Sequence, residues 1–171
     1  MLNNIYNNSY QIVQTKGAVA IMVEMVHDVR IIPLFADKAA AQAAHRPAVI
    51  QPWLGDSVGW WEQDTLVVET TQVNREQGRA GPVFLTPAGK VVERFTRTGP
   101  AEILYAFQVD DPTYYSRPWR AEMVYKSQKG RLFEYACHEG NYAMTDILRG
   151  ARLAERGKPG KAAPASGDGA E

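Results

Sequence analysis

Short runs of β-branched and aromatic residues, each closed by a turn signal, recur along most of this chain. The clearest pair occupies residues 57–62 and 65–72, with only Gln63-Asp64 between them. So short a connection forces antiparallel pairing, because a parallel neighbour needs a crossover of about a dozen residues or more. Further strands are expected over 10–15, 18–26 and 29–33, with His27-Asp28 at a hairpin or bulge. Others follow over 90–98, 101–110, 118–126 and 131–137.

The remaining segments break that rhythm. Residues 37–45 are alanine-rich and suit two turns of helix before Pro47, or else a surface excursion. Residues 74–88 are irregular. Residues 141–155 have helical spacing, with Tyr142, Ile147, Leu148 and Ala151 available for one apolar side. Residues 157–171 hold Gly, Pro, Lys, Ala and Ser with nothing to bury, and are expected to be a disordered tail.

Eight or nine antiparallel strands in sequence order, followed by a helix, fit an all-β up-and-down barrel of the lipocalin-like (calycin-like) kind. The alternative is a two-sheet sandwich or jelly roll. Residues 1–156 are expected to form one domain. Several strands are apolar on both faces: Ile103, Tyr105, Phe107 and Val109 on one side, Leu104 and Ala106 on the other. The outside of the barrel therefore calls for a cover, such as the loops, the helix or a second copy in a homodimer.

Composition narrows the classes. The 171 residues carry 19 basic and 19 acidic side chains, a formal net charge of zero, which argues against a nucleic-acid partner. No window approaches 18 consecutive apolar residues, so no membrane-spanning helix is expected. The single cysteine, Cys137, excludes an internal disulfide framework and reads as a small buried hydrophobe. The start of the sequence has neither a basic n-region nor an apolar h-region, so it reads as free of a signal peptide.

Chemistry is expected where charges fall among apolar strand positions. Glu24 shares a face with Met22 and Val26, Glu93 with Val91 and Phe95, Glu134 with Leu132 and Ala136, and Arg30 with Ile32. A carboxylate facing a barrel interior must be paired, hydrogen-bonded or neutralised, because desolvation disfavours its charge. His27 adjoins Asp28 and His138 adjoins Glu139, which makes both histidines candidates for proton transfer. Adjacent strand residues point to opposite faces, however, so neither pair is a dyad through sequence proximity. Trp61, Trp119 and Tyr115 fall at strand ends, where barrel rims stack on ligands or partners.

Several phrases taken together carry a resemblance. They are residues 10–15, the run 55–70 with its Trp61-Glu62 and Asp64-Thr65, Val92-Glu93-Arg94-Phe95, Asp111-Pro112-Thr113 with Arg117-Pro118-Trp119, and residues 134–143. In these the chain resembles a large group of uncharacterised, usually exported bacterial proteins common in soil and environmental genomes. The resemblance implies an exported, periplasmic origin and carries no catalytic residues. It also implies glycine where this chain has Gln63.

Small-molecule binding in the barrel cavity is the leading expectation. An acid–base hydrolase or lyase would use His27, Glu24, Glu93 and Glu134, with Arg30, Trp61, Trp119, Tyr115, His138 and Glu139 around the substrate and no cofactor. The alternatives are a metal-dependent barrel with His27 and His138 as ligands, and a non-catalytic dimeric binding module.

Overall fold

A computed structural model describes residues 8–79, 82–135 and 142–156. The chain divides into two compact units, Met1–Tyr135 and Ala136–Glu171. The first contains eight strands, β1 (Tyr10–Gln14), β2 (Ala18–Val23), β3 (Val29–Phe35), β4 (Asp56–Glu62), β5 (Thr65–Thr71), β6 (Lys90–Gly99), β7 (Glu102–Asp110) and β8 (Trp119–Lys126). A short helix, α1 (Lys38–Ala43), lies between β3 and β4. The strands form one mostly antiparallel curled sheet in the order β1 to β8, rather than two stacked sheets. The helix α2 (Ala143–Arg156) belongs to the second unit and buries none of its residues.

Alternation sorts the sheet into two faces. Val19, Ile21, Arg30, Ile32, Leu66, Val68, Glu93, Tyr105, Phe107 and Val109 share one of them and are buried. On that face Tyr10 of β1 stacks on Tyr125 of β8 with ring centroids 5.2 Å apart, so the sheet curls towards it. No backbone ladder joins β1 to β8 among the described residues. The opposite, convex face is covered over β4–β6 by α1, where Ala41 and Phe35 pack on Val58, Trp60, Val67 and Val92. Over β1–β3 the same face is bare, and Val13, Val29 and Ile31 are exposed there.

Three features depart from the expected meander. β3 and β4 pair in parallel, through Leu34↔Gly59 and Phe35↔Trp60. The twenty residues between these strands hold α1 and cross over, whereas a short turn would have reversed the chain. Gly59 is needed at this junction, because a Cβ there would sit 3.0 Å from Ile32 Cγ2 and from Leu34 Cδ2. The ninth strand, expected over 131–137, is absent over 131–134; Tyr135 makes a single parallel bridge to Met25, and residues 136–141 lie outside the described ones. β2 stops at Val23, because Val26 and His27 have φ of 58° and 49° and turn the chain, with the Asp28 N–H donating to the Met25 carbonyl. The tail over 157–171 is also outside the described residues.

The β4–β5 turn does place Gln63 in the left-handed region, at φ 54°. That conformation costs a non-glycine residue about 1–2 kcal/mol, partly offset by the entropy a glycine would lose on folding. Gln63→Gly is therefore expected to stabilise the protein by about 0.5 kcal/mol. A rise in the urea midpoint checks it, and an unchanged or lower midpoint means the turn is unstrained.

Candidate functional site

The concave face gathers the polar groups that period-2 alternation turns inward. β3 exposes Val29 and Ile31 on its outer side and so aims Arg30 inward; β6 does the same for Glu93. Arg30 reaches across the curl to Glu93 as a bidentate pair, Nη1–Oε2 at 2.5 Å and Nη2–Oε1 at 3.1 Å. The Tyr105 hydroxyl donates to Glu93 Oε1 at 2.8 Å. Arg30 is 7% exposed and Glu93 1%, so the pair is removed from water.

Burial alone would raise the Glu93 carboxyl, but the Arg30 guanidinium overrides it, assisted by the Tyr105 hydroxyl, and holds Glu93 down to about 2. Burial likewise works against the charge on Arg30, and Glu93 more than compensates, holding the guanidinium above its ordinary value. Burial raises Tyr10, Tyr105 and Tyr125 above the ordinary phenol, so all three keep their protons at neutral pH.

Aromatic rings surround this pair. Tyr105 lies 4.9 Å from Phe95, 5.6 Å from Phe107 and 5.0 Å from Tyr125 between centroids. Trp119 meets Phe107 and Tyr115 edge-on, at 5.5 Å and 5.7 Å. Tyr10, Ile12, Ile21, Arg30, Glu93, Phe95, Tyr105 and Tyr125 line a cavity of about 10 Å³, room for one water. Arg30 Nε is buried without a hydrogen-bond partner among the described residues.

No protein-family model, curated protein or solved structure matches this chain. Its candidate residues are placed by the fold as follows. Arg30 and Glu93 meet. Tyr115 and Trp119 pack together further along the aromatic wall, with the Tyr115 hydroxyl accepting from the Phe84 N–H at 3.0 Å. Glu24, His27 and Glu134 do not line the cavity. Glu24 lies just past β2 and accepts the N–H groups of Asn8 and Ser9, each at 3.2 Å. His27 sits in the β2–β3 turn, and Glu134 is exposed outside any strand. Trp61 is exposed near the end of β4. His138 and Glu139 lie outside the described residues. Among the described residues no group of three or more His, Cys, Asp or Glu side chains is placed to hold a metal ion.

A second polar cluster, under the chain that follows α1, was not foreseen from the sequence. Asp56 starts β4 and Glu69 lies on β5, both buried on the convex face. His45 Nδ1 is 2.7 Å from Asp56 Oδ2, and its Nε2 faces Glu69 Oε1 at 3.4 Å. The Arg46 N–H donates to Asp56 at 2.9 Å, and Gln42 Nε2 donates to Glu69 at 2.9 and 3.1 Å. The bonds from His45 Nδ1, the Arg46 N–H and Gln42 pin the strap of residues 42–46 onto the sheet, while His45 Nε2 is buried near Glu69 without a hydrogen bond. Glu69 meets the criterion that singles out Glu93, a charge sharing a strand face with an apolar neighbour, here Val67. His45 comes from a stretch without periodicity and gives no such signal.

Proposed function

We propose that the concave face binds a small organic molecule, in the manner of a lipocalin-like barrel, with its aromatic wall as the platform and Arg30 as the polar anchor. The observation that carries this reading is the cleft itself: aromatic rings and aliphatic side chains around a buried, charged pair, where Tyr10 of β1 stacks on Tyr125 of β8. Held at about 2 by Arg30, Glu93 has no proton to give at neutral pH and is too weak a base to take one readily, so acid–base chemistry gains no support from it. The site reads as one for binding and orienting.

Titration with N-phenyl-1-naphthylamine, a neutral dye that brightens in apolar surroundings, tests the proposal. Saturable binding is expected, weakened at least about fivefold by Tyr125→Ala, since the stacked rings would contribute about 1 kcal/mol beyond their area. Absence of binding, or binding indifferent to Tyr125, would overturn it.

A further inference from the structure

We infer that the ligand of this cleft is a neutral molecule ending in a hydrogen-bond acceptor, a ketone, ester or amide oxygen on an apolar body, and not an anion. The inference rests on the concave face being a binding site, and it concerns what that site selects.

The selection follows from which donors are already engaged. A guanidinium presents five N–H donors. Two of them, one on each of Nη1 and Nη2, go to Glu93, whereas Nε is buried with no acceptor among the described residues. A buried donor without a partner is costly, so an oxygen supplied from outside the fold would be favoured there. The cavity that Arg30 helps to line has room for about one water, which is also the space of one carbonyl oxygen.

Charge then separates a carbonyl from a carboxylate. The positive charge of Arg30 is cancelled by Glu93 at 2.5 Å. An incoming anion would meet a neutralised pair and would have to shed its own water beside a second carboxylate, in surroundings that screen poorly. A neutral acceptor avoids that repulsion and still satisfies Nε. Ile12, Ile21 and Phe95 complete the wall and suit an apolar body.

The test compares three molecules of one skeleton, acetophenone, ethylbenzene and benzoate, as competitors for bound N-phenyl-1-naphthylamine at neutral pH. Acetophenone is expected to bind about tenfold more tightly than ethylbenzene and at least about tenfold more tightly than benzoate. In Arg30→Lys, which keeps a cation for Glu93 and removes Nε, the ketone should lose its advantage while ethylbenzene is unchanged. Benzoate binding as well as the ketone would overturn the inference. So would equal binding of ketone and hydrocarbon, the result expected if a water permanently occupies Nε. In both cases the dye still binds and the general binding reading stands; failure of the dye itself removes both. If Arg30→Lys does not fold, the three-ligand series on the unaltered protein decides.

Discussion

Glu93→Ala is expected to destabilise the protein by about 3–5 kcal/mol at neutral pH, the usual cost of breaking a buried ion pair on one side. The variant leaves the buried Arg30 guanidinium without its counter-charge and the Tyr105 hydroxyl without its acceptor. Replacing both partners, Arg30→Met with Glu93→Leu, should recover most of the loss, because two apolar side chains leave no charge to solvate. Urea unfolding of the three proteins measures the difference. A Glu93→Ala protein within 1 kcal/mol of the parent would show that Arg30 finds water or another partner.

The same pair sets an acid dependence. Glu93 is held at about 2 in the folded protein against an ordinary 4.5, so its contribution is complete above the higher value. It should be lost as the pH falls from about 4.5 through about 2. The gap between parent and Glu93→Ala should close over that interval. A gap that widened on acidification would contradict the assignment.

Asp111→Ala is expected to cost about 2–6 kcal/mol, since two N–H groups lose a largely buried acceptor at about 1–3 kcal/mol each. Asp111 directly follows β7 and is 1% exposed. Its carboxylate accepts from the N–H of Thr86 at 2.5 Å and of Thr113 at 3.0 Å. Burial raises the carboxyl, and these bonds outweigh that and hold it below its ordinary value. One side chain thus ties the loop before β6 to the turn before β8, the turn that places Tyr115 beside Trp119. Gly89 makes room for it, since a Cβ there would lie 2.5 Å from Asp111 Oδ2. Urea unfolding and faster amide exchange at Thr86 and Thr113 check the prediction; a loss below about 0.5 kcal/mol with unchanged exchange would refute the clamp.

Strand positions were legible because alternation is local: each residue of β2, β5 or β7 declares its face through its nearest neighbours. That is how Arg30 and Glu93 stood out as inward charges. Their partnership was not legible. They are 63 residues apart on strands that are not neighbours, and only the curl of the sheet brings them together. The junction at His27 was legible as a hairpin or bulge, and positive φ at Val26 and His27 makes it a turn. Where that turn carries the imidazole, outside the cavity lining, was not legible. The strap at His45 left no periodic trace, because it is held by side-chain bonds to a sheet whose strands come later in the chain.

Local order along this chain was enough to establish a sheet rich in hairpins, the inward or outward sense of its side chains and the presence of ionisable groups on the inward side. Tertiary contact decided the rest. It made the β3–β4 junction parallel, placed α1 over one half of the convex face, and turned two isolated charges into a pair that leaves Arg30 Nε buried without a partner among the described residues. Alternation reports which way a side chain points, and nothing in it reports what stands opposite across a curved sheet. That distance is set by the twist and closure of all eight strands together.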